Sequence, residues 1–502
     1  MSGHLMIMPV LLPFLTGAVL LLLSGRGIAL QRAAGLGSVL LMLAIAVALV
    51  ALSVDGGAHV YRVGDWPAPF GIVLVLDRLS ALMLVLTAAI AVFCLLHAVQ
   101  GPDATGPLFH PLFQLQLAGL NGAFLTGDLF NLFVFFEILL IASYCLLVHG
   151  STAPRLRSGV HYVVLNLAGS SLFLIAVGTL YGVTGTLNMA DMAQKVALLG
   201  PQDAALVRAA ALLLLVVFAL KAALVPLYFW LPAAYAAASA PVAALFAVMT
   251  KVGVYAIVRV YTLIFGASAG VAADVAMPWL LPLALLTIVL GMLGAVGSRE
   301  LRRMQGYLLI GSIGIMLAAI ALFSASSISA GLYYLVHSTI VMAAMFLLSD
   351  LIAKQRGGKD DLLISGPEPV QPALLGLLFF TGAVAVAGLP PLSGFVGKAL
   401  ILASVPAAPM PWIWSIVLAS GLLALLALSR AGIVLFWNVS ADETAETAVL
   451  WRARAVMPAA GLLALVVGIT IFAGPITAFT DAAAKQLLAP HEYIRAVLGD
   501  QE

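Results

Sequence analysis

Residues 219–233 read ALKAALVPLYFWLPA, which sets a lysine, Lys221, and a proline, Pro226, inside one apolar run over residues 204–236. As a continuous helix that run would reach about 50 Å at about 1.5 Å per residue, far more than a hydrocarbon core of about 30 Å requires. Pro226 has no N–H to offer the carbonyl of Ala222, so the helix breaks within about a turn and a half of Lys221. A second run, 371–405, repeats the arrangement: Gly388, Leu389, Pro390 and Pro391 interrupt it about two turns before Lys398. Interrupted helices at membrane depth free carbonyls that bind cations and water, and they mark the sites of transporters.

The rest of the chain supplies the membrane. Its 502 residues are 63% hydrophobic and 9% charged, with a mean hydropathy of +1.16, too few polar groups to cover a water-facing surface. Stepping along with a ruler of about 20 residues gives fourteen segments. They lie at 5–24, 30–53, 78–100, 107–127, 129–149, 158–182, 204–236, 241–265, 274–297, 304–323, 327–353, 371–405, 411–438 and 453–478. Alternation of period two is absent and the runs are too long for barrel strands, so helices are the form that satisfies every backbone group in lipid. The expected fold is an all-α polytopic membrane protein of about 14 transmembrane helices, one transmembrane domain over 1–502. The broken seventh and twelfth helices are five spans apart and so cross in opposite directions. That is the signature of two inverted five-helix repeats, helices 4–8 (107–265) and 9–13 (274–438). Helices 1–3 (1–106) precede them, and helix 14 with a short tail (439–502) follows.

Other classes find no support. No Lys or Arg precedes the first segment, so it reads as an uncleaved helix rather than a signal peptide. Cys94 and Cys145 lie inside spans without CxxC spacing and read as packing residues. No Gly-rich phosphate loop, His/Cys cluster or basic stripe is present, so no cofactor, metal or nucleic acid is expected. Lys and Arg divide twelve to five between odd- and even-numbered connections. Positive connections stay cytoplasmic, which puts both termini on the other side.

Buried charge points to function. Glu137 lies nine residues beyond Asp128, read as its helix cap, or about 13 Å in. Lys251 is ten residues beyond Pro241, about 15 Å in, and His337 is about as far from Ser326. A charge at that depth costs several kcal/mol unless paired or wetted, so Glu137, Lys221, Lys251 and Lys398 point to a path for ions or protons. An inert pair locking helices is the bland alternative, and the two helix breaks weigh against it. His337 alone divides evenly, because a single histidine in a bundle is often merely hydrogen-bonded. Arg259 reads as snorkelling to the interface or to lipid head groups, and Arg430 likewise, with a relay role left open. Asp77 and Arg78 read as a cap and an interfacial anchor. Asn121, Asn166, Ser170 and Ser171 read as helix packing in preference to the lining of a water chain.

Four stretches resemble a known family: GDLFNLFVFFEI (127–138), ALKAALVPLYFWLPA (219–233), PVAALFAVMTKVGVYAIVRV (241–260) and AGLPPLSGFVGKA (387–399). They are similar to the antiporter-like subunits shared by respiratory complex I and the Mrp-type multisubunit cation/proton antiporters. The likeness extends over nearly the whole chain and is strongest to the D-type Mrp subunits. YFWLPAAY (228–235) lacks the His and Asp usual in complex I relatives, and no long C-terminal extension follows Asp481. The resemblance implies fourteen helices, inverted repeats and a central line of titratable groups. On it Glu137 becomes the helix-5 glutamate, Lys221 the broken-helix-7 lysine, Lys251 the helix-8 lysine and Lys398 the helix-12 lysine. His337, in YLVHSTI (334–340), matches a helix-11 histidine more loosely, without the lysine that many relatives carry one turn later. The implied function is proton translocation in a multisubunit Na+/H+ antiporter of the bacterial inner membrane, with other antiporter subunits, protons, Na+ and the lipid bilayer as partners. The alternative is the proton-pumping membrane subunit of a complex I-like NADH:quinone oxidoreductase or a membrane-bound hydrogenase.

Overall fold

The computed structural model describes residues 2–439 and 452–499. Residues 440–451 and 500–502 of the expected last unit lie outside the described residues. The principal helices are α1 Met8–Leu22, α2 Ile28–Ser53, α3 Arg78–Ala98, α4 Phe109–Leu125, α5 Leu129–Val148, α6 Ala153–Thr184, α7a Ala204–Ala222 and α7b Trp230–Ala237. They continue as α8 Ala240–Leu263, α9 Met277–Gly297, α10 Leu301–Ile320, α11 Ala325–Gln355, α12a Pro372–Ala387, α12b Ser393–Ala403, α13 Met410–Phe436 and α14 Ala453–Ile471. Beyond the kink at Phe472 the tail is helical too, as α15 Ala473–Leu487 and α16 Pro490–Leu498.

Among the described residues, eleven helices are long and apolar enough to cross a membrane. The sequence alone leads one to expect fourteen. The difference falls on α1 and α4, which are short, and on the twelfth segment, whose halves α12a and α12b are each too short alone. The breaks fall where the prolines predict. At the first, Ala223 takes a left-handed φ of 59° and the N–H of Val225 donates to Thr287 Oγ1 on α9 at 3.0 Å. A neighbouring helix thus satisfies a donor that the break leaves over. At the second, Gly388 caps α12a with φ 79°.

Side-chain caps fix several entries into helices. Asp77 and Ser80 form a reciprocal capping box on α3, Ser324 and Ser327 form one on α11, and Asp128 accepts from the Asn131 N–H at 2.7 Å. Burial raises the Asp128 carboxyl to about 6, against the pull of its backbone hydrogen bonds.

The connections sort to two ends. At one, Arg155 in the first turn of α6 donates to the carbonyl of Ala237, the last residue of α7b, at 3.1 Å, Arg430 donates to Ser298 at 2.7 Å, and Arg356 holds the carbonyls of Asp360, Leu362 and Ile364. At the other, a hairpin of β1 His59–Arg62 and β2 Val73–Leu76, with His59 opposite Leu76, pairs through Leu74 with Thr126, and Asp128 pairs with Asn188. The odd-numbered connections therefore gather at a basic end. α8 and α11 are enclosed along their full apolar length, whereas α2, α6, α9 and α13 show well under half of theirs to the interior. Leu156, Val160, Val164 and Leu167 on α6 are exposed, which suits a surface bathed in lipid.

Candidate functional site

The expected site residues form two clusters joined through α8. In the first, α6 stands between Glu137 and Lys221. Ser170 on α6 donates to the Glu137 carboxylate, and one turn earlier Asn166 Oδ1 accepts from Lys221 Nζ at 3.2 Å. Among the described residues Glu137 and Lys221 make no direct ion pair, so their coupling runs across α6. The packing role expected for Asn166 and Ser170 is corrected: both hold site residues. Their spacing of four, which puts them on one helix face, is the signal that could have found them. Phe136, Leu139, Tyr162, Trp230 and Met249 close a cavity of about 10 Å³ around Lys221, enough for about one water. Trp230 also lines a cavity of about 890 Å³ at the basic end, with Arg157, His161, Glu300 and Arg303.

Lys251 is 0% exposed, and among the described residues its Nζ has no hydrogen-bond partner. Two residues on, Gly253 lets α8 touch the end of α7a: a Cβ there would lie 2.5 Å from the Ala222 nitrogen and 2.8 Å from the Phe218 carbonyl. That contact brings the Lys251 turn beside the Lys221 turn.

The second cluster is built on the break in α12. His337 Nδ1 and Ser393 Oγ share a hydrogen bond of 2.8 Å, and Ser393 is the first residue of α12b. Lys398 Nζ donates at 2.7 Å to the carbonyl of Ala387, the last residue of α12a. Gly394 is held to glycine by contact, since a Cβ there would collide with the Ala385 carbonyl and stand 2.9 Å from His337 Nε2. Pro390 and Pro391 thus leave a carbonyl that a lysine takes up. A cavity of about 350 Å³ reaches Lys398 between α12 and α13, and Leu418 and Leu422 at its rim are exposed on the side of the bundle.

Two single-residue expectations fail. Arg259 does not snorkel: it is 3% exposed, pairs with Asp77 at 2.6 Å and lies against the rings of Tyr255 and Tyr493. Its positive charge finds a carboxylate within the bundle before it finds lipid. Cys94 is buried, but Cys145 is exposed and fills no core. Reading the sequence also passes over His97 and Asp350, both inside expected spans. Their side chains meet at 3.0 Å near the basic end. Among the described residues no group of three or more His, Cys, Asp or Glu side chains could hold a metal.

Residues 126–424 match the family model described as NADH:quinone oxidoreductase/Mrp antiporter, TM. The chain belongs to this family. It is 43% identical to the D-type subunit of a probable K(+)/H(+) antiporter from Rhizobium meliloti (strain 1021), over 99% of this chain and 97% of that one. It is 39% identical to the D-type subunit of the Na(+)/H(+) antiporter from Alkalihalophilus pseudofirmus, over 99% of each. Among solved structures it is similar to a chain of the Mrp complex from Dietzia sp. DQ12-45-1b, with 29% identity, a TM-score of 0.85, and coverage of 99% and 100%. The two enclosed lysine clusters therefore sit in an antiporter-family scaffold.

Proposed function

We propose that this chain is the proton-translocating subunit of a multisubunit monovalent cation/proton antiporter in the bacterial cell membrane. Protons move along Glu137, Lys221, Lys251, His337 and Lys398. The observation that carries this reading is the state of the three lysines. All are buried, two donate to neutral oxygens, and Lys251 has no acceptor among the described residues. A lysine that served only to lock helices would be expected on a carboxylate. A proton passed from one such lysine to the next keeps the number of buried charges constant and avoids the cost of creating a second one.

Glu137 tunes the first step through Ser170 and Asn166. Lys251 receives the proton, and His337 hands it through the α12 break to Lys398. In this reading the chain makes fourteen crossings, with inverted repeats in α4–α8 and α9–α13. The seventh, broken between α7a and α7b, and the twelfth, broken between α12a and α12b, are the paired breaks. The basic end faces the cytoplasm. Each charge moved across the membrane is worth about 2.3 kcal/mol per 100 mV, so a proton gradient drives cation export through the assembled complex. Relatives are named for K+ and for Na+, so both cations belong in the assay. With Lys221→Ala in the whole complex, cation-dependent proton movement in everted vesicles is expected to vanish while assembly persists. Parental rates with either cation would refute the reading.

A further inference from the structure

Outside the midplane line, two histidines flank the connection between α3 and α4, and each binds a buried aspartate through Nε2. His97 meets Asp350 Oδ2 at 3.0 Å, and His110 meets Asp103 Oδ2 at 3.0 Å. In each, the other ring nitrogen, Nδ1, is buried without a hydrogen-bond partner among the described residues. The carboxylate fixes the ring through Nε2, which leaves Nδ1 as the atom that can take or give a proton.

The two pairs differ in what they connect. Asp103 is fully enclosed and gripped by Arg32 through two bonds of 2.7 and 2.8 Å, and His110 Nδ1 faces the backbone of Gly35 on the peripheral α2. That pair is a closed pin. Asp350 keeps 10% of its side chain exposed and also binds Lys354, which is 42% exposed, at 2.7 Å, and Arg302 at 3.7 Å. Asp360 shares Arg302, and Arg155 is a further cation within electrostatic reach. Inward from this water-accessible edge, His97 is 2% exposed on α3, which packs against the enclosed α8 and α11.

Asp350 lies on the same helix as His337, thirteen residues or about 20 Å away. Along that interval Gln305 of α10 donates to Ser349 Oγ at 2.6 Å and to Met345 at 3.0 Å. Its Oε1 and the Oγ of Ser338 are buried without partners among the described residues. Buried polar atoms rarely stand unpaired, so these mark places that water or a passing proton donor serves.

We propose that His97 and Asp350 form a second proton-handling site, linking the solution at the basic end to the proton line in α8 and α11. In the inward direction, with the ring proton on Nδ1 and Nε2 bare, a proton taken up from water by the Asp350 carboxylate passes to His97 Nε2, and the proton on Nδ1 leaves toward the bundle interior. Asp350 is again ionised and accepts from the new Nε2–H, and a turn of the imidazole restores the starting arrangement before the next transfer. Only O–H and N–H bonds change, and the same steps run in reverse.

The inference rests on the transport reading above, so the test keeps Lys221→Ala as a reference. His97→Gln retains an N–H for Asp350 but cannot shuttle a proton. Cation-dependent pH change is measured in everted vesicles carrying the whole complex, with assembly followed by co-purification, from about pH 6 to about pH 9. His97→Gln and Asp350→Asn are expected to assemble and to lose about ten-fold or more of the rate at every pH, while His110→Gln stays within about two-fold of the parent. If His97→Gln keeps the parental rate and pH profile while Lys221→Ala is inactive, the dyad is structural and the proposal falls alone. If both transport normally, the transport reading falls with it. Failure of His97→Gln to assemble also counts against the proposal, because the retained hydrogen bond should preserve the fold.

Discussion

Lys221 rests on a neutral amide, and this choice of partner shapes its chemistry. A carboxylate at about 3 Å would hold the ammonium charged, whereas Asn166 can accept from it without adding charge. Asn166→Leu should remove that acceptor, leave a buried amine unsatisfied, and lower cation-dependent proton movement about ten-fold or more in assembled complexes. Ser170→Ala should have a smaller effect of the same sign, since Glu137 stays in place and loses one donor. Unchanged rates in both would show that α6 does not couple Glu137 to Lys221. Asp103 tests structure rather than transport. Burial would raise its carboxyl, but hydrogen bonds from Arg32 and His110 more than offset that and hold it below the ordinary carboxylate range. A lowered folded-state value means the stabilisation is complete above about pH 4 and is lost as pH falls through the folded value. Asp103→Asn should therefore lower thermal stability in detergent by about 3–5 kcal/mol near neutral pH, and the gap from the parent should close only in strong acid.

Among elements, α8 does the most. It brings Lys251 to the break in the seventh span at Gly253, and toward the end opposite the basic one it is pinned to the start of α3 by Arg259 and Asp77. Tyr255 adds a 2.7 Å bond to the Phe124 carbonyl on α4, and the Tyr493 ring of α16 covers the Arg259 guanidinium. Removing one member of a buried pair strands its partner. Arg259→Met should cost about 3–5 kcal/mol, whereas Arg259→Met with Asp77→Leu should recover much of that loss. Thermal unfolding of the purified complex measures both. A double variant as unstable as the single one would show that the pair acts through some contact other than its charge. These features are only partly legible in the sequence. Asp77 reads as a cap from its place before an apolar run, but its second role needs a partner 182 positions later in the chain. Sequence spacing carries no information about contacts of that range.

For the whole molecule, the basic end gathers Arg155, Arg302, Arg356 and Arg430, in agreement with the division of Lys and Arg among alternate connections. Single-cysteine labelling in intact cells and everted vesicles should find the connections holding Arg155 and Arg299 on the cytoplasmic side, and Arg62 and Lys195 on the other. The opposite pattern would reverse the bundle and place the His97–Asp350 edge outside. The cavity at Lys398 opens through the side of the bundle between Leu418 and Leu422.

His337 enters through the family resemblance, whereas the solvent, the helical class, both helix breaks and the four buried charges proposed for the proton line, Glu137, Lys221, Lys251 and Lys398, can be read from the chain alone. Each of these is a local matter: apolar length against bilayer thickness, a missing proline N–H, and a charge too costly to bury without use. Which partner each charge takes is settled by the folded bundle. Lys221 and Lys398 rest on an amide and a freed carbonyl, Arg259 on a distant carboxylate, and His97 on Asp350. The reason is physical. A buried polar group is satisfied by whatever acceptor packing brings within about 3 Å, and packing is set by contacts between helices that lie far apart in the chain.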